Sequence, residues 1–170
     1  MEYRTIDANF NRLREGLRVI EDIMRYELNA SSIIQKLKAL RHKVAVCDKA
    51  TFEKRIAYRD SENDEGFNNI GENEGVRSNT NDILRANFLR AQEASRVLEE
   101  LLKVEQQSKL TGIIKEVRYS LYQLEKEVFL MVNNVKKLDL SLYLVTKSSL
   151  NDKPLHEVVE EAIKGGVTIV

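Results

Sequence analysis

Residues 8–26, ANFNRLREGLRVIEDIMRY, return at residues 86–104 as ANFLRAQEASRVLEELLKV, and this repetition sets the architecture. At a shift of 78, eight positions are identical: Ala8/Ala86, Asn9/Asn87, Phe10/Phe88, Arg12/Arg90, Glu15/Glu93, Arg18/Arg96, Val19/Val97 and Glu21/Glu99. Within the first copy Leu13, Leu17, Ile20 and Met24 recur at helical spacing, which is the apolar stripe of an amphipathic helix. The second copy carries a weaker stripe of Phe88, Ala91, Ser95, Leu98 and Leu102. The segments C-terminal to the two copies repeat as well, at a shift of 77, pairing Lys38 with Lys115, Arg41 with Arg118, Lys49 with Lys126 and Phe52 with Phe129. There Ile33, Leu37, Leu40, Val44 and Cys47 form one stripe. Leu110, Ile114, Val117, Leu121, Leu124, Val128, Met131 and Val135 form the other, alternating steps of four and three as in helices packed lengthwise. The expectation is a mostly α fold, a duplicated antiparallel helical hairpin forming a four-helix bundle with an approximate two-fold.

Between the hairpins lies RDSENDEGFNNIGENEGVRSNTND (59–82), with three of the chain's seven glycines, many Asn, Asp and Glu, and almost nothing apolar. A loop of that length inside a compact domain is usually functional or disordered. Asp7 is positioned to cap the first helix, and Thr80 or Asn81 the third. From Asp139 the pattern changes: LSLYLVT (140–146) is a short β-prone apolar run, SSLNDKP a turn, LHEVVEEAIKGG a helix with a glycine stop, and VTIV (167–170) a second β run. That order predicts a β-α-β unit of a parallel sheet or barrel. Two domains are therefore expected, 1–138 and 139–170.

The chain's 170 residues hold 27 Lys+Arg and 27 Asp+Glu. The neutral sum argues against a nucleic-acid binder, whose affinity rests on surplus cations. It conceals a pattern, because the balances over 1–58, 59–82, 83–138 and 139–170 are +4, −5, +3 and −2. Two basic blocks flank an acidic insert. One cysteine excludes a disulfide framework, there is no secretory signal, and no apolar run approaches the ~20 residues of a membrane span, so a soluble, cytoplasmic protein is expected.

On a helical wheel Ala8, Arg12, Glu15 and Val19 form a stripe opposite the core stripe, bordered by Arg18; Ala86, Arg90, Glu93 and Val97 repeat it, bordered by Arg96. These are solvated faces, or ion pairs Arg12–Glu93 and Glu15–Arg90 across the two-fold, or a cleft for a phosphorylated ligand. Surface positions free to vary rarely match at Asn, Arg, Glu, Arg and Glu together while core positions such as Leu13/Ala91 and Leu17/Ser95 diverge. Arg12, Arg18, Arg90 and Arg96, with Asn9 and Asn87 nearby, offer the fixed bidentate donors that phosphate oxygens take. In the insert, Asp60, Asp64 and Glu65 next to Gly66 are oxygen donors suited to Mg²⁺, with Arg59 and Arg77 at its two ends; a solvated loop is the alternative. A calcium hand does not fit, because Gly66 sits one position late and no Glu closes the loop. Cys47 reads as a small core hydrophobe. His42 and His156, with one cysteine, give little basis for a zinc site, and no Gly-rich loop precedes Lys-Ser/Thr.

LYLVTKSSL followed by HEVVEEAIKGGVTIV resembles the opening of thiamine-phosphate synthase, a (β/α)₈ barrel, although Lys147 stands where that family often has Asp. The two copies of ANFxRxxExxRVxE and the RDS…D-x-G…RSN connection resemble the helical domain fused ahead of that synthase in some bacteria, over roughly residues 4–135. The resemblance implies hydroxymethylpyrimidine-phosphate kinase activity with ATP as co-substrate and Mg²⁺, a phosphorylated pyrimidine as the small-molecule partner, and no membrane or nucleic-acid role. The motif positions it carries over are Arg12, Glu15, Arg18, Arg59, Asp60, Asp64, Arg77, Arg90, Glu93 and Arg96. With Asn9 and Asn87 from the helix faces, the candidates are Arg18, Arg96, Glu15 and Glu93 as catalytic, Asn9, Arg12, Arg59, Arg77, Asn87 and Arg90 as phosphate-binding, and Asp60 and Asp64 as metal ligands. The alternative is a non-catalytic module that dimerises the synthase or channels its intermediates; a homodimer is one candidate assembly. Barrel enzymes work through loops after eight strands, and residues 139–170 supply at most two, so that stretch by itself is not expected to perform the synthase step.

Overall fold

The computed structural model describes residues 2–64, 76–133, 141–146 and 153–170. Val135 of the fourth stripe, the centre of the acidic connection (65–75), Leu140, the predicted boundary at 138/139 and the stretch 147–152 lie outside the described residues. The chain divides into two units, Met1–Val132 and Asn133–Val170.

The first unit is four helices: α1 (Glu2–Tyr26), α2 (Ser31–Ile56), α3 (Thr80–Val104) and α4 (Ser108–Val132). Each follows its apolar stripe. Leu13, Leu17, Ile20, Met24, Leu37, Val44, Ala91, Leu98, Leu102, Ile114, Val117 and Leu121 are fully buried, and Phe10 and Phe88 occupy equivalent places in the same core. Towards its ends the α4 stripe loosens, with Leu110 half-buried and Met131 exposed. The duplication extends to the turns. Asn29 after α1 and Gln106 after α3, 77 residues apart, both take the left-handed conformation, at φ 49° and 56°, which lets the chain reverse after a helix end.

Two capping expectations change. α1 begins at Glu2, so Asp7 lies one and a half turns inside the helix and is buried, not a cap. α3 is capped by Asn79, whose side chain accepts from the Asp82 amide at 3.0 Å, while the Asp82 carboxylate accepts from the Ser78 amide at 3.1 Å. The cap is one residue earlier than Thr80 because this reciprocal pair satisfies the Asp82 amide in the first turn and the Ser78 amide that precedes the helix.

Helix α1 packs on α2 and α3, and α4 packs on α3 and α2. Neighbours run antiparallel throughout. The Tyr3 hydroxyl at the start of α1 donates to Glu105 just past α3, and Thr80 at the start of α3 donates to Glu27 just past α1 at 3.1 Å. Lys36 pairs with Glu127, and Lys43 with Glu116 at 3.0 Å, across α2 and α4. An approximate two-fold perpendicular to the helices relates the hairpins. α1 and α3 pack tightly at Gly16, where a Cβ would stand 3.0 Å from the Asn87 carbonyl oxygen and 3.4 Å from the Ala91 Cβ.

In the second unit α5 (Leu155–Lys164) is flanked by a single parallel bridge between Tyr143 and Ile169, with the Leu144 amide donating to the Ile169 carbonyl at 2.8 Å. Two strands are predicted here, but the described residues hold this bridge and no strand. A pair without a third neighbour gains too little cross-strand contact to extend. Among the described residues no helix is long and apolar enough to cross a membrane.

Candidate functional site

The polar residues that helix periodicity leaves off the core meet in a groove of about 630 Å³ between α1 and α2. Its lining includes Arg14, Glu15 and Arg18 from α1, with Lys38, Arg41 and His42 from α2. Four cations thus face one carboxylate. Three of the four are held from behind. Arg14 donates to Asp48 at 3.1 Å, Arg18 to Asp22 at 3.0 Å, and Arg41 to Glu21, whose side chain is 3% exposed. A guanidinium fixed by one carboxylate keeps its remaining N–H donors in a set direction, which is how a phosphate is met bidentately.

These contacts repeat across the two-fold. Arg18–Asp22 has its counterpart in Arg96–Glu100, at 2.8 Å. Arg41–Glu21 has Arg118–Glu99, at 2.9 Å, and Arg14–Asp48 has Gln92–Glu125, at 2.7 Å. Buried Glu21 and Glu99 therefore match because each must balance an arginine of its own hairpin. The same holds for Asn9 and Asn87, which donate to Thr5 O and Ile83 O, each at 2.8 Å. Those amides serve their own helices.

Beside the groove is a chain of charges with no counterpart in the second hairpin, where Val132 and Arg85 occupy the positions of Arg55 and Asp7. Arg55 is fully buried, bonded to Asp7 and to Asp48, and its guanidinium lies 5.1 Å from the ring centroids of both Phe10 and Phe52. Asp7 also takes two bonds from Arg59, at 2.7 and 2.9 Å. Burial pushes the Asp7 carboxyl up, but the hydrogen bonds and charges of Arg59 and Arg55 outweigh it and hold it below its ordinary value of 3.8. Through Asp48 this chain ends on Arg14 at the groove's edge. Cys47, beside Asp48, is buried, and burial with that neighbouring charge pushes its thiol up to about 11, so it is no nucleophile at neutral pH.

Of the expected site residues, the groove collects Glu15 and Arg18. Arg12, Arg90, Glu93 and Arg96 are exposed on their helices. Arg59 is committed to Asp7, and Arg77 donates to the Val76 carbonyl at 2.7 Å. Asp60 accepts from the Asn63 amide and side chain, while Arg4 donates to the Asp60 carbonyl at 2.8 Å. Among the described residues no group of three or more His, Cys, Asp or Glu is suited to a metal, so Asp60 and Asp64 have no third such ligand there. Sequence reasoning missed Arg14, Lys38, Arg41 and His42 as groove residues and Arg55, Asp48 and Asp7 as a buried network. The Lys38/Lys115 and Arg41/Arg118 identities were the available signal for the α2 side.

The profile of the ThiD2 family matches residues 4–127, the whole helical unit save its ends. The chain belongs to the ThiD2 family. Relatives of this ThiD2 chain include proteins named thiamine-phosphate synthase. The one from Nostoc sp. is 40% identical over 168 residues, covering 99% of this chain and 46% of the relative. That from Gloeobacter violaceus is 37% identical over 167 residues (98% and 47%), and that from Synechocystis sp. 36% over 168 residues (98% and 47%). The chain spans about half the length of the curated relatives it matches. No solved structure matches it.

Proposed function

We propose that the helical unit binds hydroxymethylpyrimidine phosphate in the α1/α2 groove and transfers to it the γ-phosphoryl group of ATP, as a step of thiamine biosynthesis. A phosphate oxygen of the acceptor forms the new P–O bond, the bond between the β-phosphate's bridging oxygen and the γ-phosphorus breaks, and ADP leaves with the electron pair. The acceptor oxygen is already anionic at neutral pH, so positioning and charge neutralisation carry the reaction and no strong base is required.

The observation that supports this reading is the groove, where Arg14, Arg18, Lys38 and Arg41 face one carboxylate and three of them are fixed by acids behind. Mg²⁺ accompanies ATP in this reading, and no step is assigned to it, because the described acids do not form a metal cluster. Residues 139–170 are read as the opening of a (β/α)₈ barrel that would use the resulting diphosphate. The parallel bridge across α5 and the length of the relatives support that reading.

The test is ADP release from the purified chain with ATP, Mg²⁺ and the pyrimidine monophosphate. Arg18→Ala and Arg14→Gln should each lower the substrate-dependent rate by roughly 10²-fold, the usual effect of losing one preorganised donor to developing charge. Tight binding of the monophosphate without any ADP release would turn the reading to the non-catalytic module.

A further inference from the structure

The fold is duplicated, but the equivalent faces of its two hairpins are not alike. At the α3/α4 positions equivalent to the α1/α2 groove, Gln92 replaces Arg14, Tyr119 replaces His42 and Tyr122 replaces Ala45, while Arg96, Lys115 and Arg118 repeat Arg18, Lys38 and Arg41. The tyrosines change what Arg118 can do. Their rings meet edge to face with centroids 6.0 Å apart, and the Arg118 guanidinium lies 4.8 Å from the Tyr119 ring and 5.8 Å from that of Tyr122, within hydrogen-bonding reach of the Tyr122 hydroxyl at 3.3 Å. Glu99 takes its other donors. The Arg118 side chain is 12% exposed against 38% for Arg41. The arginine that faces the open groove in the first hairpin is sandwiched and spent in the second.

Loss of the Arg14 charge acts in the same direction. Gln92 gives its amide to Glu125 and adds no cation. Arg96 is shared between Glu99 and Glu100. The second hairpin therefore repeats the scaffold of the groove with one cation fewer, another enclosed, and two aromatic rings where the first has an imidazole and a methyl group.

Resting on the phosphate reading of the first groove, we propose that of the two equivalent hairpins only α1/α2 takes the phosphate monoester, and that Ala45, His42 and Arg14 keep this site open while Tyr122, Tyr119 and Gln92 block the equivalent α3/α4 face. The site takes a phosphate monoester small enough to enter beside Ala45. The duplicated half serves as scaffold.

Calorimetric titration of the full chain with hydroxymethylpyrimidine phosphate tests this. One equivalent per chain is expected. Ala45→Tyr, at an exposed helical position where tyrosine does not disturb the core, should weaken binding at least about tenfold, as should Arg14→Gln, since one lost charge-assisted contact is worth about that much. Tyr122→Ala should leave the affinity unchanged. Unaltered helical signal and thermal midpoint in Ala45→Tyr show that the groove, not the fold, was affected. Two equivalents in the wild type, or one that ignores Ala45→Tyr and responds to Tyr122→Ala, would overturn the single-site assignment and leave the phosphate reading standing. No binding at all would remove the phosphate reading itself.

Discussion

Arg55, without any exposed surface, is bonded to the buried carboxylate of Asp7 on the neighbouring helix, 48 residues away in the chain. Each partner has a second support: Asp48 for Arg55, and Arg59 for Asp7. Arginine suits this position because its guanidinium bridges two carboxylates while the Phe10 and Phe52 rings cover it.

Removing the carboxylate is expected to harm the protein more than removing the guanidinium. In Asp7→Ala, Arg55 stays buried with half its compensation, and breaking a buried pair from one side costs about 3–5 kcal/mol. In Arg55→Met, Asp7 keeps Arg59 and Asp48 keeps Arg14, and the apolar side chain refills the space between the rings. Urea unfolding midpoints decide it. A larger loss in Arg55→Met than in Asp7→Ala would show that the charges are not shared in this way.

Acid should expose the same network. The native Asp7 carboxyl titrates below its unfolded value of 3.8, so the unfolded chain takes up the proton first. The stabilisation is complete above that value and is lost as the pH falls through the lower native one. The gap in thermal midpoint between wild type and Asp7→Asn should be constant from neutral pH down to about 5 and narrow below about 4. A gap that stays constant to about pH 2 would mean that Asp7 is not held by its arginines.

Two glycines in helices predict opposite outcomes for the same substitution. Gly16→Ala puts a methyl group 3.0 Å from the Asn87 carbonyl and 3.4 Å from the Ala91 Cβ, so α1 and α3 must part, at a cost of about 1–3 kcal/mol. Gly112→Ala in α4 meets nothing within 4 Å, and the better helix propensity should stabilise by about 0.5–1 kcal/mol. Thermal melts of the two variants check the sign of each. Equal shifts would mean that α1 and α3 do not touch at Gly16.

The four helices, the duplicated hairpin and most of the core were legible in the sequence, because burial of one helix face imposes a local period that Leu13, Leu17, Ile20 and Met24 display by themselves. Equality of two distant segments made the two-fold legible too. Charged residues were not readable in that way. Asp7 has the composition of a cap, and only the start of α1 at Glu2 and the arrival of Arg55 from α2 make it a buried ion-pair partner. Asn9 and Asn87 match in the two copies because both bond their own helices, although a matching amide is equally what a ligand would select. The groove joins Arg14 and Arg18 to Lys38 and Arg41, residues almost a helix length apart in the chain, so no spacing rule announces it.

Periodicity and repetition are properties of the residue order, and they were enough to establish a doubled helical hairpin followed by a segment of different character. Which arginines stand in water, which are buried against carboxylates, and why Arg41 faces an open groove while Arg118 lies against Tyr119 and Tyr122 became fixed only with the packing of the helices. A charge takes its meaning from the dielectric and the partners around it, and those come from helices that the chain brings together only when it folds.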